Sequence, residues 1–166
     1  MPRARLHAFS ALVALAVATA ACGARATSPE APAAVATATD VVAAGKAVLE
    51  QYRQGFEVRS VEALAPLYEH SDALVVVHQG QRQIGWSVVE PRLVTTVQGA
   101  TDIRIAVAEV SVVGLGADAA VVQATLRRSI SDGVTTLEDA GPITLVLRKS
   151  RARWLIVAEH YSFAPT

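Results

Sequence analysis

From Asp40 to Phe56 the apolar positions Val41, Gly45, Val48 and Tyr52, joined by Val42, Leu49 and Phe56, recur with the period of an amphipathic helix, and Asp40 is placed to cap it. A shorter helix is expected to start at Ser60 and run through Ala63, Leu64, Leu67 and Tyr68, with Pro66 limiting its regularity. The period then changes. Ala73 to His78 reads as a strand, Gln79-Gly80-Gln81 as a turn, and the chain returns through Ile84 to Trp86. Ser87-Val-Val-Glu90 has the spacing of a capping box, which predicts a third helix carrying Leu93, Val94 and Val97 and stopping before Gly99.

After Thr101 the pattern is strand throughout: Asp102 to Val113, Ala119 to Ser131, Ile143 to Lys149 and Arg153 to Phe163. Hairpin-like connections separate them at Gly114 to Asp118, Asp132-Gly133 and Ser150 to Ala152, and Gly141-Pro142 is expected to act as a bulge or edge feature. Helices followed by a meander predict an α+β domain with three helices packed on the concave face of a strongly bent antiparallel sheet. In the last strand, strict alternation puts Trp154, Ile156, Ala158, His160 and Ser162 on one face and Leu155, Val157, Glu159, Tyr161 and Phe163 on the other. Both faces are apolar, so something must cover the side away from the helices. A second copy of the chain is the simplest cover, which predicts a homodimer through the outer sheet face.

The N-terminus follows another pattern. Arg3 and Arg5, an apolar run from Ala8 to Ala18 and small residues before Cys22 have the three parts of an export signal over residues 1–21. The run is too short for a permanent span, which takes about 20 apolar residues. Cys22 is the sole cysteine, and its place after Thr19-Ala20-Ala21 resembles the lipobox of bacterial lipoproteins, in which the cysteine is acylated. Ordinary cleavage after Ala18-Thr19-Ala20 is the rival, and it would leave a soluble secreted protein. Residues 22–39, rich in Ala, Thr, Pro and Ser, read as a disordered tether before a domain over residues 40–166. The expected location is the bacterial cell envelope, with the membrane engaged only through a lipid anchor.

Charge removes some partners. Lys plus Arg and Asp plus Glu number 15 each, so no net field draws in nucleic acid. The histidines at 7, 70, 78 and 160 are far apart and no second cysteine exists, so no metal site is expected. Gly114-Leu-Gly116-Ala-Asp-Ala119 matches a dinucleotide-binding glycine pattern, but a strand follows where that motif needs a helix, so no cofactor is expected.

Gly116-Ala-Asp-Ala-Ala-Val-Val122, Leu145-Val-Leu-Arg-Lys149 and Trp154-Leu-Ile-Val157-Ala-Glu-His160-Tyr-Ser162 together resemble the nuclear transport factor two-like superfamily. Within it the chain is most similar to SnoaL-like domains and to the association domain of calcium/calmodulin-dependent kinases. Trp154 stands where a tryptophan opens the final strand, His160 and Ser162 where an H-x-S pattern closes it, and the Gly85-Trp86 step into a helix also agrees. The resemblance spans about Asp40 to Pro165 and implies a cone-shaped α+β barrel with a central cavity, usually dimeric. It implies little about chemistry. Neither the tyrosine and aspartate pair of the isomerases nor the Asp-Arg-Asp set of the epoxide hydrolases is found at matching positions, which favours a non-enzyme.

Tyr52, His78, Trp86, Glu109, His160 and Ser162 are the candidates for a ligand pocket. His160 and Ser162 share a face, while Glu159 points away from His160 and cannot orient it. A buried structural role for His160 is the first reading and ligand contact the second. His78 can approach the cavity mouth or lie on a surface turn; Tyr52 and Trp86 can offer an apolar body with one polar handle or simply pack the core. Glu109 and Arg127 or Arg128 are either cavity charges or a solvated ion pair. The expected function is binding of a small apolar or amphipathic molecule, or assembly, without catalysis. The alternative is an isomerase, dehydratase or cyclase using His160 or Glu109 as general base. A purely structural oligomerisation module is the third reading.

Overall fold

In the computed structural model, residues 37–166 are described. The proposed signal segment, Cys22 and the tether up to residue 36 lie outside the described residues. The first helix, α1 (Ala38–Glu57), begins earlier than expected because Thr37, not Asp40, is its cap. The Thr37 hydroxyl accepts from the Asp40 amide at 3.2 Å and the Asp40 carboxylate accepts from the Thr37 amide at 2.9 Å. This reciprocal pair satisfies two orphan donors where Asp40 alone would satisfy one. Ala38 and Thr39 therefore belong to the helix and not to the tether.

Ser60 caps α2 (Val61–Leu64), accepting from the Ala63 amide, and a turn of 3₁₀ helix over Ala65–Leu67 follows at Pro66. The hairpin β1 (Val75–His78) and β2 (Gln81–Ile84) leads into α3 (Trp86–Gly99). The expected Ser87/Glu90 capping box is absent. Gly85, at φ 86°, occupies the cap position, Val88 and Val89 donate to its carbonyl, and Ser87 lies inside the helix, two positions too late to cap it.

The meander consists of β3 (Asp102–Gly114), β4 (Ala119–Ser131), β5 (Thr136–Ser150) and β6 (Arg153–Tyr161), with a short β7 (Ala164–Pro165). Sheet order is β2-β1-β6-β5-β4-β3, with β7 paired to β5. All pairs are antiparallel except β1 with β6, where Val76 lies beside Glu159 and His78 beside Tyr161 in parallel. No hairpin ties those two strands, because α3 and four strands separate them in the chain. The helices cover one face of this strongly bent, unclosed sheet.

β5 runs unbroken through Gly141-Pro142, in place of the short strand from Ile143 that was expected. The glycine serves a different purpose. A Cβ at Gly141 would lie 2.1 Å from the Ser162 carbonyl oxygen, so only glycine lets the C-terminal segment cross β5 and form β7. Gly45 likewise lets α1 approach the sheet, since a Cβ there would meet Val112 Cγ1 at 2.7 Å.

Two bulges bend the sheet. In β3 the register jumps between Ala108 and Ser111, with Glu109 at φ 54°. In β6, Val146 pairs with Ala158 and the next residue, Leu147, with Ile156, so Val157 has no partner and the strand changes phase there. Strict alternation therefore fails along β6. Ile156 and Glu159, assigned to opposite faces by sequence, both turn inward and are both buried.

Candidate ligand cavity

Between α1, α3 and the inner sheet face lies a cavity of about 270 Å³. Phe56 of α1, Leu93 of α3, Ile103 and Ile105 of β3 and Ile130 of β4 make an apolar wall. Facing it are the polar groups of Tyr52, Tyr68, His78, Arg128, Glu159 and Tyr161. One apolar wall and one polar end suit an amphipathic occupant.

Glu159 holds the deep end. It is only 3% exposed and accepts the Tyr52 hydroxyl at 2.7 Å and the Tyr68 hydroxyl at 2.6 Å, one on each carboxylate oxygen. The three come from different elements. Tyr52 lies on the buried stripe of α1, Tyr68 directly follows the 3₁₀ turn and bridges to Ile156, and Glu159 is turned inward by the bulge at Val157. Burial raises the Glu159 pKa above the usual carboxylate value, and the two phenol hydrogen bonds and the charge of Arg128 oppose that rise without cancelling it. Burial, reinforced by the Glu159 charge, pushes both phenols well above their ordinary value, so they stay protonated donors.

Nearer the opening, Arg128 forms a bidentate pair with Asp139 through Nε at 2.8 Å and Nη2 at 2.6 Å, and both side chains are largely buried. Its guanidinium lies 3.8 Å from the centre of the Phe163 ring and 5.4 Å from that of Tyr161. Phe163 is held there by the chain crossing at Gly141 and by Gln79, whose side-chain oxygen accepts the Phe163 amide at 3.0 Å and whose nitrogen donates to its carbonyl. His78 packs its ring 4.1 Å from that of Tyr161. Burial, then the charge of Arg128, lowers its pKa, which favours a neutral imidazole at the cavity wall near pH 7. His78, Arg128 and Tyr161 also line a more open hollow of about 530 Å³ beside Phe163 and Pro165. They form the partition between cavity and hollow.

Of the six pocket candidates, Tyr52 and His78 line the cavity. Trp86 does not: its ring stacks on His70 at 4.1 Å and lies 5.9 Å from Tyr68. Glu109 sits exposed at the β3 bulge, accepting the Thr125 hydroxyl at 2.6 Å. His160 and Ser162 are exposed, so the buried structural role for His160 gives way to a surface position. The phase change at Val157 is the reason, because it turns Glu159 inward and His160 outward. Arg128 rather than Arg127 is the cavity arginine, since Arg128 pairs with inward-facing Asp139. Glu159, Tyr68 and Tyr161 were missed as site residues. The available signal was a single acid, Glu159, within an otherwise apolar strand.

A SnoaL-like domain model matches residues 46–166. The chain belongs to the SnoaL-like family. No curated protein sequence matches it. Among solved structures, this SnoaL-like domain is similar to a nuclear transport factor 2-like superfamily protein from Salmonella enterica serovar Typhimurium, at 20% identity and TM-score 0.70 over 78% of this chain and 94% of that one. A protein of the same superfamily from Streptomyces avermitilis, provisionally named a dehydratase, matches at 18% identity and TM-score 0.66 over 78% of this chain and 99% of that one. A provisionally named scytalone dehydratase from Novosphingobium aromaticivorans matches at 11% identity and TM-score 0.65 over 74% and 83%. At such identities the likeness is one of fold, and the SnoaL-like domain's chemistry rests on its own residues.

Proposed function

We propose that this SnoaL-like domain binds a small amphipathic molecule in the cavity behind Glu159, without obligatory catalysis. The carrying observation is the division of that cavity into an apolar wall and a polar end in which Glu159, Tyr52 and Tyr68 hold one another by hydrogen bonds. Among the described residues, every buried side-chain nitrogen and oxygen has a partner. Polar groups that fix one another in place are preorganised for binding. Export and a lipid anchor at Cys22 belong to this reading, as does a dimer through the outer sheet face, where Ala106, Ala108 and Val113 stand exposed. Native mass spectrometry of protein taken from its own membrane tests all three. The expected result is a diacyl or triacyl mass on Cys22, a dimer, and a retained small molecule in the cavity. An empty protein that gives no thermal shift with any of a panel of small amphipaths overturns the binding reading.

Proton-transfer catalysis of isomerase or dehydratase type is the second reading, favoured by one observation. His78, held neutral beside the cavity, is the group there best poised to accept a proton near pH 7. Glu109 and His160 lie outside the cavity and drop out as bases. Under this reading His78→Ala abolishes turnover while leaving ligand affinity within a few fold; under simple binding there is no turnover to lose.

A further inference from the structure

The deep end of the cavity holds an acid with no ion-pair partner. Glu159 is buried, and among the described residues no lysine, arginine or histidine forms an ion pair with it. The nearest buried cation in the cavity, Arg128, is committed to Asp139 through two hydrogen bonds. Arg92, also in the cavity wall, is exposed on α3, where solvent screens it. His78 is held neutral. The two phenols satisfy Glu159 as a hydrogen-bond acceptor but cannot neutralise it, and a buried carboxylate without a counter-charge is costly.

Donor and acceptor accounting narrows the occupant. Both phenol protons of Tyr52 and Tyr68 are spent on the Glu159 oxygens, so this trio itself offers an incoming group only lone pairs: the free ones on the carboxylate and one on each phenol oxygen. A carbonyl or carboxylate seated on this trio finds no donor among the three and meets like charge on Glu159. A hydroxyl can donate but brings no compensating charge. A protonated amine does both. The rings of Tyr52, Phe56, Tyr68 and Tyr161 line the same cavity, and aromatic faces attract a cation.

Building on the binding reading above, we infer that the cavity takes a small organic amine in its protonated form, its ammonium seated at the Glu159 carboxylate beside the Tyr52 and Tyr68 hydroxyls and its apolar body against Leu93, Ile103 and Ile105. Arg92 and His78 stay toward the opening, away from the ammonium. The charge pattern thus sets the ligand's direction of entry.

The test is isothermal calorimetry of the intact protein at pH 7 with three matched probes: benzylamine, benzyl alcohol and benzoate. Benzylamine is expected to bind about tenfold or more tighter than benzyl alcohol, with benzoate weakest. Glu159→Gln should remove the gap between amine and alcohol; if that variant does not fold, the ranking on the unaltered protein decides alone. Benzyl alcohol or benzoate binding as tightly as benzylamine overturns the amine inference and leaves the binding reading standing. Failure of all three probes, together with no response to the wider amphipath panel, brings down both.

Discussion

Glu159 and His160 are neighbours on one strand, both ionisable, and they meet opposite environments. Glu159 is 3% exposed with two phenol donors, whereas His160 faces water across the sheet beside Thr144. Side-chain type does not separate them, because either residue could serve as a cavity acid or base. A single unpaired residue, Val157, makes the choice by advancing the strand one step between Ile156 and Glu159. In this domain the register of a strand, more than its composition, decides which residue faces the cavity.

The largest effect is expected from deleting Val157. Without the bulge, β6 must either expose Ile156 or turn Glu159 to solvent and His160 into the core, because a one-residue slip reverses every side chain beyond it. Ile156 and Leu147, paired across the inner face, are both fully buried, and the apolar set they anchor resists reversal. The deletion is expected to abolish cooperative folding, seen as loss of the thermal transition in circular dichroism. A folded deletion variant with unchanged melting would show that the bulge does not fix the register.

A smaller effect is expected from removing one of the phenols that hold Glu159. Tyr68→Phe leaves a buried carboxylate oxygen without its donor and should cost about 1–3 kcal/mol in denaturant unfolding. The cost depends on pH with a definite sign. Folding raises the Glu159 pKa above its usual 4.5, so the native state binds this proton more tightly than the unfolded chain does. The stability from this group is therefore fully present below about 4.5 and is lost as pH rises through the higher folded value. Tyr68→Phe removes an interaction that lowers that pKa, so it should steepen the loss and carry its larger penalty on the alkaline side. Glu159→Gln should flatten the same slope, and an unaltered slope in that variant would mean that another group carries it.

The parts of the fold that depend on period were legible in sequence: α1 from its apolar stripe, β3 and β4 from their alternation, and the helices-then-meander order that gives an α+β domain. What was not legible depends on contacts between distant segments. Gly141 looked like an interruption because nothing local shows that Ser162 will cross over it. The parallel pairing of β1 with β6 joins residues about eighty positions apart and leaves no turn signature between them. For the site, Tyr52 could be read from its helix and His78 from its strand end. Glu159 could not, because a bulge is invisible to period-two reasoning and every residue beyond it was assigned to the wrong face.

The mildest test of the contrast is His160→Ala. The imidazole turns outward and makes no buried contact, so the substitution should change unfolding free energy by less than about 0.5 kcal/mol. Amine affinity in the cavity should stay within twofold, since the sheet stands between residue 160 and Glu159. The measurement is sharper for being made in the isolated protomer as well as at concentrations that favour self-association. Thr144, its neighbour across the strand pair, shares the outer face, so a dimer formed there would bury the imidazole. A loss that grows with protein concentration would place His160 in the subunit contact, while a loss independent of concentration would put it back in the core and undo the phase change assigned to Val157.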